Sequence, residues 1–94
     1  MILARIFSKL FKKGGIILVD SKGQKYICGN PEKENPIIVK LLKDNLKWKL
    51  ILDPELEFPE AYMRNEIIIE NGSLKDFLML FVENLGRKEV SSAS

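Results

Sequence analysis

Three carboxylates that lie close together in the sequence, Glu55, Glu57 and Glu60, are the side chains best suited to acid–base chemistry. Paired carboxylates can exchange protons with a substrate. No metal-ligand set, nucleophile–base pair or phosphate-binding glycine motif accompanies them in the sequence. The chain also has no histidine, which excludes imidazole acid–base catalysis and a Ser-His triad. We therefore predict no catalytic residue, no metal site and no cofactor site in this chain.

The single cysteine, Cys28, is a second candidate for reactivity. It follows Lys25-Tyr26-Ile27 in a β-rich run, where a small core residue is expected more often than a reactive thiol. One cysteine cannot form an internal disulfide, which favours a reducing compartment. The expected location is therefore cytoplasmic.

The charges are distributed unevenly along the chain. Residues 1–49 carry 11 Lys and Arg against 4 Asp and Glu, a net charge of +7, and residues 50–94 carry 4 against 9, a net charge of −5. A basic first half suits an anionic partner, either a membrane surface or nucleic acid, or a solvated basic face without a partner. Nucleic acid is disfavoured because the chain has no recognisable binding motif and few aromatic residues among its lysines.

The first 13 residues predict an amphipathic helix that ends at Gly14-Gly15. One half of its surface is apolar and the other half is basic. A stretch of this length cannot span a bilayer, which needs about 20 apolar residues. The apolar residues are Ile2, Leu3, Ile6, Phe7, Leu10 and Phe11, and the basic ones are Arg5, Lys9, Lys12 and Lys13.

Two interpretations of this helix remain open. It can pack its apolar side on the rest of the domain, with the cations facing water. Alternatively, it can lie in a lipid interface, with the six apolar residues on acyl chains and the four cations on headgroups. An isolated helix of this length is marginal in water, so it must pack against something.

The remaining pattern predicts one domain over residues 1–86, followed by a flexible tail or linker over 87–94. A hairpin of strands 16–19 and 25–28 turns at Asp20–Gly23, and a third strand covers 37–41. Residues 46–52 fit either a helix or a strand. The isoleucines at 67–69 predict a strand buried on both faces. Ser73 is expected to cap a last helix that ends at Gly86, with Asp76 completing a capping box.

The segment from Asp53 to Met63 lies between residues 46–52 and the predicted strand at 67–69, and we call it the corner. Asp53 is predicted to cap a short helical turn that begins at Pro54. Pro59 then opens a second turn over Glu60-Ala61-Tyr62-Met63, before Arg64-Asn65 reverses the chain. We expect this segment to shape the domain and not to carry chemistry.

This corner resembles a known family. Asp53-Pro-x-Leu56 followed by Glu60-Ala61-Tyr62-Met63 is similar to the N-terminal, non-catalytic region of cyclopropane-fatty-acyl-phospholipid synthases, and the likeness runs from about residue 3 to residue 85. Pro59 stands where many relatives have glycine. The glycine motif of the family's catalytic domain is not in this sequence.

The resemblance implies an α+β fold, a small sheet of about three to five strands covered by helices as in sterol-carrier domains. It also favours a helix over residues 46–52. It implies a lipid-engaging domain, peripheral to the membrane, that presents phospholipid acyl chains to a separate methyltransferase domain in cis or in trans. S-adenosylmethionine would bind to that catalytic domain and not to this chain.

The last predicted helix leaves a second function open. Its apolar stripe is Leu74, Phe77, Leu78, Phe81, Val82 and Leu85, and Met79 and Leu80 lie on either side of it. A helix that is apolar over more than one face suggests contact with acyl chains, a second domain or another copy of the chain. The alternative to a lipid-engaging domain is therefore a protein-interaction module.

Overall fold

The computed structural model describes residues 1–85, in which helices pack against one face of a four-stranded mixed sheet. The predicted α+β class is confirmed. The elements in chain order are α1 (Ile2–Leu10), β1 (Gly15–Val19), β2 (Lys25–Gly29), β3 (Ile38–Leu41), α2 (Leu46–Leu52), α3 (Pro54–Met63), β4 (Ile67–Glu70) and α4 (Leu74–Leu85).

The strand order is β2-β1-β3-β4. β1 pairs with β2 antiparallel and with β3 parallel, and β3 pairs with β4 antiparallel. The β1–β2 hairpin was predicted, and its turn is held by Asp20, whose Oδ1 accepts the N–H groups of Lys22 and Gln24 at 2.9 Å each. Gly23 adopts a φ of +86°, a conformation that favours glycine.

The core lies between the inner face of the sheet and the helices. All five phenylalanines of the chain meet there, with neighbouring ring centroids 4.7 to 6.2 Å apart. Aromatic pairs at these distances add about 0.5–1.5 kcal/mol each beyond their buried area. The cluster joins α1, α3, α4 and the segment after α1, and its members are Phe7, Phe11, Phe58, Phe77 and Phe81.

Two helix predictions need correction. α1 ends at Leu10 and not at Lys13, because Phe11 is extended (φ −79°, ψ 93°) and its ring enters the core. The corner is one continuous helix and not two turns, with Pro59 inside it. Phe58 and Ala61 are both fully buried on either side of Pro59, so core packing holds the helix through the proline. Pro54 starts the helix as predicted, but the Asp53 side chain makes no capping hydrogen bond.

The isoleucine strand is not buried on both faces. β4 lies at the edge of the sheet, and the helices cover only the inner face, so Ile67 is buried while Ile68 is 43% exposed. Residues 46–52 form a helix as the resemblance favoured, with Leu46 and Leu50 turned inward. The predicted stop at Gly86 and the tail at 87–94 lie outside the described residues.

Candidate functional site

The predicted lipid-binding residues of the N-terminal segment divide into two groups. Leu3, Phe7 and Phe11 are buried in the core, where they cannot contact acyl chains in this conformation. That part of the site prediction is corrected, because Leu3 is sealed in the core and the rings of Phe7 and Phe11 pack against those of Phe58 and Phe81. Leu10 is partly buried against the same core. The interpretation that α1 packs on the domain therefore holds for half of its apolar surface.

Ile2 and Ile6 remain at the surface, 45% and 40% exposed. They line a shallow depression on α1 together with Arg5 and Lys9. The four residues thus form a small mixed patch, hereafter the α1 patch, in which two apolar side chains lie beside two cations. Lys12 and Lys13, which follow the helix, are exposed as well.

The outer side of α4 carries a second and more apolar surface. Met79 is 61% exposed and Val82 is 40% exposed. With Leu74 and Leu78 they line an open depression whose charged borders are Lys75 and Glu83. We call these six residues the α4 face. The sequence set Met79 apart from the apolar stripe of this helix, but it placed Leu74, Leu78 and Val82 in that stripe, whereas the structure has them on the outer side.

A contact that the sequence did not indicate connects α4 to the end of α1. The Oδ1 atom of Asn84 accepts the backbone N–H groups of Lys12 and Lys13 at 2.8 Å each, and its Nδ2 atom donates to the carbonyl of Lys13 at 2.9 Å. The rings of Phe7 and Phe81 lie 5.6 Å apart on the inner side. The α1 patch and the α4 face therefore belong to helices held together on the same side of the sheet.

The corner residues take mixed positions. Ala61 is fully buried, and its carbonyl accepts the N–H of Glu66 at 2.8 Å, which closes the turn into β4. Tyr62 and Met63 are exposed, as are Asp53 and Glu60, and Pro54 is half-buried. Leu52, at the junction of α2 and α3, is 84% exposed.

The carboxylates near the corner surround one cation. Arg64 forms ion pairs with Glu57 and Glu60 at 3.6 Å each and with Glu66 at 3.0 Å. The hydrogen bond to Glu66 raises the pKa of Arg64. Although partial burial alone would raise the pKa of Glu66, hydrogen bonds from Arg64 and Lys43 bring it below its ordinary value. These ion pairs stabilise the turn, and the lowered pKa of Glu66 makes that carboxyl a poor general acid.

Other chemistry within residues 1–85 is equally limited. Cys28 is buried, and burial raises the pKa of its thiol, which disfavours the reactive thiolate. No group of side chains in this range could hold a metal ion. None of the described helices has the length and apolar character needed to cross a bilayer.

Comparison with models of known families, with curated proteins and with solved structures finds no significant match. The resemblance of the sequence to cyclopropane-fatty-acyl-phospholipid synthases therefore stays a prediction.

Proposed function

We propose that this domain binds a phospholipid membrane surface, as the non-catalytic accessory part of a cyclopropane-synthase-like, S-adenosylmethionine-dependent methyltransferase. The observation that carries this proposal is the α1 patch, in which Ile2 and Ile6 lie exposed beside Arg5 and Lys9. The methyl transfer itself would take place on a catalytic domain in cis or in trans, at the cytoplasmic side of the membrane. The buried Leu3, Phe7 and Phe11 have no part in lipid contact.

The division of α1 between core and surface changes the balance of binding forces. Each cation near an anionic leaflet contributes about 1 kcal/mol at low salt, so Arg5, Lys9, Lys12 and Lys13 together supply about 4 kcal/mol. A fully buried isoleucine side chain is worth about 1.5–3 kcal/mol, and Ile2 and Ile6 are already half-covered by protein. Electrostatic attraction is thus at least as large as apolar insertion, and we expect weak, reversible binding that requires anionic lipid and decreases with added salt.

The test is co-sedimentation with vesicles of phosphatidylglycerol and phosphatidylcholine, compared with vesicles of phosphatidylcholine alone. We expect binding to the anionic vesicles only. Replacing both Arg5 and Lys9 by Gln removes about 2 kcal/mol of attraction, a loss of about 30-fold in partitioning.

The matched control replaces Lys22 of the β1–β2 turn and Lys33 of the loop after β2 by Gln. Both are exposed cations, so the net charge of the protein changes equally, but neither lies on α1. Equal loss of binding by the two double variants would mean that net charge, and not the α1 patch, attracts the membrane. No binding by the wild-type chain to anionic vesicles at low salt would remove the proposal.

The α4 face favours a second candidate function, a protein-interaction module. Its borders carry one cation, Lys75, and one anion, Glu83, so it offers no net attraction to an anionic membrane. Apolar side chains with Met79 at the centre suit a protein surface better. Light scattering of the chain mixed with a cyclopropane-synthase catalytic domain tests this candidate. A complex that Met79→Glu abolishes, with vesicle binding unchanged, would assign docking to α4 and lipid to α1.

A further inference from the structure

The two edges of the sheet differ in how they are protected. At the β2 edge, α1 packs alongside the strand, and the Ser8 hydroxyl donates to the carbonyl of Ile27 at 3.4 Å. β2 also contains Lys25 and Gly29, residue types that discourage further pairing. At the β4 edge, no other strand or backbone hydrogen bond covers Ile67 to Glu70 within residues 1–85.

The pairing of β4 with β3 determines which of its backbone groups face outward. Leu42 donates its N–H to the carbonyl of Glu66 at 2.9 Å, so Leu42 and Glu66 form a hydrogen-bonded pair at the end of the β3–β4 ladder. Bonded and non-bonded pairs alternate in an antiparallel ladder, so Ile68 and Glu70 also bond to β3. The N–H and C=O groups of Ile67 and Ile69 therefore point away from the sheet.

β4 has only two of the devices that discourage edge pairing, its length of four residues and the charged Glu70 at its end. Stronger protection comes from a lysine, a proline or a bulge in the strand, or from cover by another element. The sequence Ile-Ile-Ile-Glu has none of these residues, and Ile68 is 43% exposed on the outer face. We propose that β4 pairs antiparallel with β4 of a second copy of this chain, so that the two sheets form one eight-stranded sheet. This proposal is independent of lipid binding.

The backbone conformation permits one register. Within β4, only Ile67 and Ile69 have outward-facing backbone groups. With the two-fold axis centred on Ile68, Ile67 of each copy forms hydrogen bonds with Ile69 of the other copy. Centring it on Ile67 or Ile69 would bring Asn65 or Asn71 into the ladder. Both have φ near +60° (60° and 61°), which is incompatible with a strand. In the permitted register the two Ile68 side chains lie opposite each other on the outer face.

The charges at the ends of this pairing are already neutralised within each copy. Glu66 of one copy would lie opposite Glu70 of the other. Glu70 is paired with Lys40 at 3.0 Å. Glu66 is paired with Arg64 at 3.0 Å and with Lys43 at 3.3 Å. Each carboxylate thus brings its own cation to the interface, and the approach is not opposed by uncompensated like charges.

The short strands indicate how strong the association should be. Pairing of two four-residue strands buries less than the roughly 1,200 Å² typical of stable complexes. We therefore expect a monomer–dimer equilibrium with a dissociation constant between about 1 μM and 1 mM. Sedimentation velocity of the full chain over this concentration range should show a concentration-dependent dimer. A chain that stays monomeric up to about 1 mM would overturn the proposal.

A matched pair of variants locates the interface. Ile68→Lys places two cations opposite each other at the two-fold axis and should raise the dissociation constant about tenfold or more. Ile27→Lys is the control, since Ile27 is 68% exposed on the outer face of the other edge strand. Circular dichroism verifies that both variants fold. Equal weakening by both would indicate stacking of the open sheet faces and overturn edge pairing.

The register is tested by cross-linking. Opposite side chains of a non-bonded antiparallel pair have Cβ atoms about 4.5–5.5 Å apart, close enough for a disulfide after small adjustment. Ile68→Cys should therefore form a disulfide-linked dimer under mild oxidation, whereas Ile27→Cys should not. The native Cys28 is buried, so it should not form a competing cross-link between copies. Absence of the Ile68→Cys cross-link in a chain that still dimerises would rule out pairing through β4.

Discussion

Asn84, near the end of α4, binds the backbone of Lys13, 71 residues earlier in the chain. Its amide nitrogen donates to the Lys13 carbonyl and to the Leu80 carbonyl at 2.9 Å each, and its oxygen accepts two backbone N–H groups from Lys12 and Lys13. The Asn84 side chain therefore satisfies the hydrogen-bonding groups of the backbone at Lys12 and Lys13, directly after α1. It also fixes the position of α4 relative to the N-terminal segment.

We expect Asn84→Ala to lower the free energy of unfolding by about 1–2 kcal/mol. Each hydrogen bond contributes about 0.5–1.5 kcal/mol net, but water can replace some of them because the contacts are near the surface. The matched control is Asn30→Ala, because Asn30 is an exposed residue of the adjacent loop whose side chain makes no hydrogen bond within residues 1–85. Urea denaturation of both variants measures the difference. Similar values for the two would contradict a bridging role for Asn84.

Ile6 and Phe7 are neighbours in the sequence, but Phe7 lies in the core and Ile6 lies at the surface. Alanine variants of the two residues distinguish the effect on fold stability from the effect on vesicle binding. Phe7 is 2% exposed and contacts the rings of Phe11, Phe58 and Phe81. Phe7→Ala should destabilise the fold by about 3–5 kcal/mol. Ile6→Ala should cost less than about 1 kcal/mol, because Ile6 is 40% exposed.

Vesicle binding should follow the reverse order at a temperature where both variants remain folded. Ile6→Ala removes an exposed apolar side chain and should weaken binding, while folded Phe7→Ala should bind as the wild type does. Co-sedimentation and thermal denaturation together provide the two measurements. A folded Phe7→Ala protein that lost vesicle binding, while Ile6→Ala kept it, would contradict the assignment of the α1 patch.

The features that the sequence predicts correctly are local ones. The Asp20–Gly23 turn and the capping box of Ser73 and Asp76 each depend on residues fewer than five positions apart, and the structure contains both. The helical period of α4 likewise identified Phe77 and Phe81 as inward-facing residues. Such features depend on backbone geometry that a short peptide already specifies.

Apart from the Asp53 cap, a local feature that the structure does not contain, the features that the sequence predicts incorrectly depend on tertiary contacts. Periodicity marked six apolar residues on α1, but it cannot distinguish those that meet Phe58 and Phe81 from those that stay outside. The three isoleucines of β4 indicate a strand but not its edge position, which follows from the strand order. The bridge from Asn84 to Lys13 is not visible in the sequence at all, because no local pattern relates the two residues.

The capping box of α4 offers a prediction about pH. Asp76 accepts the backbone N–H of Ser73 at 3.0 Å, and the Ser73 hydroxyl accepts the N–H of Asp76 at 3.1 Å. The backbone hydrogen bond from Ser73 holds the pKa of Asp76 below its ordinary value of 3.8. Because the folded-state pKa is the lower one, the ionised carboxylate stabilises the fold above the unfolded-state pKa. This contribution is lost as the pH falls below about 3.8 and through the folded-state value.

Asp76→Asn should therefore be less stable than the wild type at pH 7, and the difference should shrink as the pH falls below about 4. Asn84→Ala is the control, since Asn84 does not titrate and bonds only to backbone groups, so its cost should be the same at every pH. Asp20 and Glu66 also have lowered pKa values, but they are present in all three proteins and cancel in the comparison. Urea denaturation at a series of pH values gives the differences. A stability difference for Asp76→Asn that stays constant from neutral pH to pH 3 would mean that the carboxylate charge does not stabilise the start of α4.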